Sequence, residues 1–100
     1  MKLFQSHLSK IETLCRKHRV KALYAFGSAL TERFNESSDV DLVVEFYDLD
    51  LHEYADNYFD LQFALEDLFG KPVDLLEAQA LRNPHFKKAV EAQRRLLYAA

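Results

Sequence analysis

The sequence predicts an α/β domain in which helices pack on one small mixed β-sheet. Segments whose apolar residues recur at helical spacing alternate along the chain with short, largely apolar runs typical of strands. The chain has 100 residues, 49% of them hydrophobic, which is enough for one core but too little for two. We therefore expect a single domain over residues 1–100.

The first half of the chain predicts a long and a short helix, one buried strand and one half-buried strand. Helical spacing covers residues 3–18, with an apolar stripe at Phe4, Leu8, Ile11, Cys15 and His18. Residues 20–26 are apolar on both faces and end at Gly27, and Ser28 is the expected N-cap of a short helix over 28–32. Residues 39–46 then alternate, which places on one face Val40, Leu42, Val44 and Phe46, and on the other Asp39, Asp41, Val43 and Glu45.

The second half predicts a long helix, a strand, a last helix and a closing strand. The long helix spans residues 51–69, begins at an Asp50/Glu53 capping box, ends at Gly70 and buries Leu51, Tyr54, Tyr58, Leu61, Leu65 and Leu68. Residues 72–76 form a third strand, and Asn83-Pro84 begins a helix to about Gln93. The final RLLYA segment is the expected fourth strand.

The charges divide the chain into three blocks. Residues 1–21 carry a net +5, residues 22–81 a net −12, and residues 82–100 a net +4. The acidic centre would attract a divalent cation, and the basic ends a triphosphate or an acidic partner, although solvated helix faces explain the same pattern equally well. Direct binding to duplex nucleic acid is not expected, because it usually needs a basic surface.

The chain carries no signal for a membrane or for secretion. No apolar run approaches the ~20 residues of a membrane span, and the N-terminus lacks the pattern of a signal peptide. One cysteine, Cys15, cannot form an internal disulfide, and its place on an apolar stripe predicts that it is a core residue. A cytoplasmic protein is the simplest expectation.

Two aspartates on the second strand are the first candidate site residues. Asp39 and Asp41 are two positions apart, so their side chains share a face with Cα atoms ~6–7 Å apart. Such carboxylates repel each other unless a cation lies between them, and Mg²⁺ binds a few carboxylates together with phosphate oxygens and water. A second D-x-D at Asp48 and Asp50 follows the strand, where capping of the next helix explains it better.

Gly27 and Ser28 are a candidate phosphate site, since glycine allows close approach to the backbone and a helix N-terminus binds anions. A cap at Ser28 with turn acids at 39 and 41 is the purely structural alternative.

Asp74 is the third carboxylate. It lies in the short apolar run PVDLL, where an unpaired charge is costly, and beside the second strand it would serve as metal ligand and general base.

A family resemblance rests on these same residues. The runs GSALTERFNESSDVDLVVEF and LFGKPVDLLEAQALRNPHFKKAV resemble the polymerase-β-like nucleotidyltransferase superfamily, and in particular its minimal nucleotidyltransferases. The resemblance covers residues 10–98 and implies the polymerase-β-like core fold. It also implies two Mg²⁺ ions on Asp39, Asp41 and Asp74, with the triphosphate of ATP or another nucleoside triphosphate at Gly27 and Ser28.

The chain departs from that family at one point. Many members carry an Arg-Gly pair shortly after Gly-Ser, where this chain has Thr31-Glu32. Arg33 is the expected substitute for the phosphate contact.

The resemblance also implies a partner. Minimal nucleotidyltransferases are commonly paired with a helical HEPN-type toxin, and act as the antitoxin by adding AMP to a hydroxyl of the toxin. Two alternatives stay open: an antitoxin that neutralises by binding alone, and a stand-alone transferase acting on a small molecule. The nucleotide, the acceptor and the oligomeric state, including a homo-oligomer, are not set by the sequence.

Overall fold

The computed structural model describes residues 2–27 and 39–100, which contain helices and one four-stranded sheet. In chain order the elements are α1 (Lys2–Gln5), α2 (Leu8–Lys17), β1 (Val20–Phe26), β2 (Val40–Phe46), α3 (Leu51–Phe69), β3 (Val73–Glu77), a 3₁₀ turn (Ala78–Ala80), α4 (Pro84–Gln93) and β4 (Arg95–Ala99). The predicted α/β class and the four predicted strands are confirmed. The short helix expected over residues 28–32 lies outside the described residues.

The sheet is mixed, with strand order β3-β2-β1-β4. The central strand β1 is antiparallel to both β2 and β4, whereas β2 and β3 are parallel. The parallel pair is joined through α3, as a parallel connection requires a crossover. Because β2 and β3 run in the same direction, their N-terminal ends lie side by side.

The two faces of the sheet carry different residues. One face packs against α2 and α3 and forms the main core, which includes Ile11, Leu23, Leu42, Leu61, Leu65 and Leu75. The opposite face forms a smaller cluster with α4, built from Phe26, Val43 and Val90. The alternation predicted for residues 39–46 is therefore confirmed.

The long helix has the predicted ends. The Asp50 side chain accepts a hydrogen bond from the His52 amide at 3.2 Å, and Gly70 ends the helix with a φ of +66°. Glu53 does not complete a capping box by its side chain; it lies 3.6 Å from Arg19 instead. At the start of α4, the Asn83 side chain accepts from the His85 amide at 2.9 Å, as expected for an N-cap.

Two details of the helix predictions are wrong. The segment 3–18 is not one helix, because residues 6 and 7 form a turn in which the His7 amide donates to the Phe4 carbonyl at 3.1 Å, three residues back rather than the four of an α-helix. Leu51 is not buried but 88% exposed. Tyr54 already contacts Phe46, the last residue of β2, so Leu51 lies beyond the end of the sheet.

Within residues 2–27 and 39–100, no helix combines the length and the apolar character needed to cross a bilayer.

Candidate active site

The chain leaves β1 through a glycine. Gly27 has a φ of +69°, a left-handed conformation that residues with a side chain rarely adopt. A Cβ atom at this position would lie 2.6 Å from the Asp41 Oδ2. The backbone at Gly27 therefore approaches the Asp41 carboxylate so closely that no side chain would fit between them.

Asp41 and Asp74 are direct neighbours across the parallel pair β2–β3. Their Cα atoms are register partners, and neighbouring strands lie ~4.8 Å apart, so both side chains leave the same face of the sheet. Asp39 immediately precedes β2 and is two residues before Asp41. The structure therefore brings together the three predicted carboxylates at the N-terminal ends of β2 and β3, with Gly27 beside them.

The electrostatics of this cluster are unfavourable without a counter-charge. Asp41 is partly buried, and burial raises the pKa of its carboxyl group above the usual value. The negative charges of Asp74 and then Asp39 raise that pKa further. A bound cation would remove both the repulsion and part of the desolvation cost.

The donor set fits magnesium. In the described part of the chain, no three His, Cys, Asp or Glu side chains form a ready-made metal cluster. Mg²⁺ does not need one, since it usually binds one or two carboxylates and completes its octahedron with phosphate oxygens and water. Carboxylates on one face within electrostatic range of each other, as Asp39, Asp41 and Asp74 are, match that preference.

An apolar floor continues from the carboxylates on the same face. Phe26 is the register partner of Asp41 across β1–β2, and it packs with Val43 and Val90. The Phe86 ring of α4 stands edge-on to Phe26, with ring centroids 6.5 Å apart. One side of the site is thus shielded from water by α4.

The position of Asp74 is fixed by side chains of α3 that bind the outer edge of β3. The Gln62 Nε2 donates to the Val73 carbonyl at 2.9 Å, and the Glu66 Oε2 accepts from the Val73 amide at 3.0 Å. These bonds satisfy backbone groups that an edge strand would otherwise leave unpaired. They hold the residue directly before Asp74 on both its donor and its acceptor side.

Two tyrosines of α3 continue this row of hydrogen-bonding side chains, which Glu66 and Gln62 begin, toward the end of β3. The Tyr58 hydroxyl donates to the Leu75 carbonyl, and the Tyr54 hydroxyl donates to the Glu77 carboxylate. Burial raises the pKa of Tyr58, and the negative charge of Asp74 raises it further. Burial and the bond to Glu77 likewise raise the pKa of Tyr54.

Sequence reasoning assigned these tyrosines to the core or its rim and missed the row. Its signal is the spacing of four hydrogen-bonding side chains along one helix face, at Tyr54, Tyr58, Gln62 and Glu66. Four helical residues advance ~6 Å, which nearly equals two strand residues, so such a row can follow an adjacent strand. The other two predicted phosphate contacts, Ser28 and Arg33, lie outside the described residues.

Comparison with known proteins agrees with this geometry. The family model described as "Polymerase beta, Nucleotidyltransferase" matches residues 9–100. A Methanocaldococcus jannaschii protein named "Putative protein adenylyltransferase MJ0128" is 37% identical over 92 residues, covering 84% of this chain and 91% of the relative. The chain therefore belongs to the polymerase-β nucleotidyltransferase family, as the sequence resemblance predicted.

Solved structures agree on the fold. A structure described as a "putative minimal nucleotidyltransferase" superposes with a TM-score of 0.76 at 26% identity, covering 91% of this chain and 89% of its own. A chain from the complex of a tri-AMPylated Shewanella oneidensis HEPN toxin with an MNT antitoxin gives a TM-score of 0.66 at 23% identity, covering 97% and 73%.

Proposed function

We propose that this nucleotidyltransferase transfers AMP from ATP, with Mg²⁺, to a hydroxyl group of a HEPN-type partner protein, and thereby acts as an antitoxin in the cytoplasm. The observation that carries the proposal is the pairing of Asp41 with Asp74 across β2–β3, with Asp39 beside them and the Gly27 backbone against Asp41. Acidic side chains beside the predicted phosphate turn support this proposal, because phosphoryl transfer needs a metal site and a held triphosphate together.

Each of these residues has a distinct task in the proposed reaction. Asp39 and Asp41 hold Mg²⁺, which when bound neutralises the charge that develops on the triphosphate. Asp74 accepts the proton of the attacking hydroxyl. The hydroxyl oxygen forms a bond to the α-phosphorus, the bond from that phosphorus to the bridging oxygen breaks, and pyrophosphate leaves. Ser28 and Arg33 are the expected contacts to the triphosphate.

Two comparisons support AMP and a protein acceptor. The Methanocaldococcus jannaschii relative is named as a protein adenylyltransferase. In one structural neighbour a HEPN toxin that carries three AMP groups is bound to an MNT antitoxin. A protein acceptor also agrees with this site, because Asp39 and Asp74 are exposed and thus accessible to a second molecule.

Intact-mass spectrometry of a co-expressed partner tests this function. The chain should be produced together with the product of the adjacent gene, which the proposal predicts to be a HEPN-type protein, in wild-type form and as Asp74→Asn. We expect the partner to gain the mass of one or more AMP groups with wild type and none with the variant. Asp48→Asn, a change at an exposed aspartate of the second D-x-D, is the matched control and should label the partner like wild type.

The same experiment separates the alternatives. A partner that is bound and silenced without added mass, equally well by Asp74→Asn, would establish neutralisation by binding alone. Transfer to a small molecule, with no partner bound, would instead establish a stand-alone transferase.

A further inference from the structure

The outer face of α3 exposes two aromatic side chains. Phe59 is 50% exposed and Phe63 is 58% exposed, and their rings stack with centroids 6.3 Å apart. These residues lie one helical turn apart, so they form one continuous apolar patch, called here the aromatic face. Exposed aromatic clusters of this kind commonly mark protein interaction sites.

A groove joins the aromatic face to the strand that carries Asp74. It has a volume of about 380 Å³ and lies between α3 and β3, with walls that include Phe59, Tyr58 and Leu76. Leu76 is two residues after Asp74 on the same strand, a separation of ~7 Å, and its side chain leaves the same sheet face. A molecule seated in the groove would therefore reach Asp74 only through a group that extends ~7 Å past Leu76.

The charge beside the aromatic face indicates what would bind there. Helix α3 contains five acidic residues and no Lys or Arg. Glu53 and Glu66 have partners within the chain, at Arg19 and at the Val73 amide, and Asp67 lines a separate groove with residues of α2. The other two, Asp56 and Asp60, are exposed beside the aromatic face. This surface is complementary to a protein that surrounds an apolar protrusion with Lys and Arg.

A second copy of this chain fits the surface less well. The chain combines basic and exposed apolar residues on α2 and β4, where Leu8 is 46% and Leu96 58% exposed, and on α4, where Phe86 is 44% exposed beside Lys87. Contact between either surface and the aromatic face would join two unlike patches. Such head-to-tail contacts build open chains of subunits unless their rotation closes a ring.

From these observations we propose that the aromatic face and the adjoining groove are the docking surface for the protein that accepts the nucleotide. The partner presents a basic, apolar-centred surface to α3, and its acceptor hydroxyl extends from the groove past Leu76 to Asp74, on the sheet face away from α3. This inference rests on the proposed function, since it assigns the surface through which the same site meets its substrate.

A pair of double variants tests the docking surface. Phe59→Ser with Phe63→Ser removes the aromatic face, and Leu8→Ser with Leu96→Ser removes exposed apolar groups at the opposite side of the molecule as a matched control. Affinity for the co-encoded HEPN-type protein would be measured by calorimetry, together with affinity for ATP in Mg²⁺. Because all four residues are exposed, thermal unfolding should change little.

We expect the aromatic variant to lose at least about tenfold in partner affinity, as is typical when central interface aromatics are removed, and to label the partner less. Its affinity for ATP should stay at the wild-type level, and the control should keep wild-type values throughout. Asp56→Lys with Asp60→Lys should weaken the complex and also reduce its dependence on salt.

The proposed docking surface would be overturned if the aromatic variant bound the partner as tightly as wild type does. It would also be overturned if the control variant lost as much partner affinity as the aromatic variant, or if wild type formed no complex with the partner. Self-association abolished by the aromatic variant would assign the surface to a second copy and overturn it as well. Failure of the proposed function would look different: the wild-type complex would form through the aromatic face, yet ATP would not bind and no AMP would appear.

Discussion

The two faces of the sheet contrast in what their residues do, although they alternate along the same strands. Leu42 points into the core formed with α2 and α3, while its neighbours Asp41 and Val43 point to the face of α4. The first face is apolar apart from residues near the strand ends, such as Glu77 at the end of β3, and holds most of the buried residues. The second combines a small apolar cluster with repelling carboxylates. The comparison teaches that this domain gains its stability from one face and keeps the other for chemistry.

The largest expected effect on AMP transfer comes from a change on the sheet face that carries the carboxylates. Asp41→Asn should lower AMP transfer by at least ~10²-fold, since a group that stabilises the transition state is removed. Stability at neutral pH should hold or rise slightly. The pKa of Asp41 is raised on folding, so its ionised form opposes folding above that pKa, and the neutral amide avoids this penalty. Urea unfolding measures the stability of the variant, and the rate of partner labelling measures its AMP transfer. If the variant failed to fold, Asp41 would have a structural role instead.

Adjacent changes on β2 should separate the two faces in stability. Leu42 and Val43 are both fully buried. Leu42→Ala should lower the free energy of unfolding by about 2–5 kcal/mol, and Val43→Ala by about 2 kcal/mol, because less apolar surface is lost. Transfer per folded molecule should stay near wild type for Leu42→Ala. If Leu42→Ala abolished transfer in fully folded protein, the two faces would not be independent.

The two glycines offer a matched pair for the site itself. Gly27 and Gly70 both have positive φ, but a Cβ would meet Asp41 at 2.6 Å in the first case and nothing within 4 Å in the second. Each change to alanine should cost roughly 1–2 kcal/mol of stability from the left-handed backbone. Only Gly27→Ala should also displace the Asp41 carboxylate and lower transfer, by about tenfold or more. Equal transfer by the two variants would contradict the close approach at Gly27.

The smallest expected effect is a change in the pH dependence of stability, and it comes from Cys15 in the main core. Burial raises the pKa of Cys15 from 9.0 to about 12. Because the pKa is higher in the folded state, this group's contribution to stability is complete below pH 9 and is lost as the pH rises from 9 to 12. Unfolding of wild type should therefore weaken more steeply over that range than unfolding of Cys15→Ala. Parallel stability curves would show that the thiol does not ionise on unfolding.

Much of the fold was predictable because its signals are local. Periodicity gave β1 as Val20–Phe26 and α3 as Leu51–Phe69, with the bounds that the structure has. The alternation over residues 39–46 also gave the faces of β2. The break at Ser6 and the exposure of Leu51 were missed. The first depends on a local change in backbone hydrogen bonding, and the second on where the sheet ends, and neither is visible in a residue pattern.

The residues of the candidate site could be proposed from the sequence, but the side chains that support them could not. The carboxylates at 39, 41 and 74 stood out because acids within apolar strands are costly. Their meeting depended on β2 and β3 being parallel neighbours, which spacing alone does not determine. The bonds from α3 to the edge of β3 were missed for the same reason, since they join residues on two elements whose relative position only tertiary structure sets.

The most direct test of the central claim is calorimetric titration of the wild-type chain with ATP, in the presence of Mg²⁺ and again in excess chelator. Because the three carboxylates repel both each other and the triphosphate, ATP should bind at least about tenfold more tightly with Mg²⁺ than without it. Asp39→Asn should reduce that gain. Equal ATP affinity with and without Mg²⁺ would contradict a metal-dependent site on Asp39, Asp41 and Asp74.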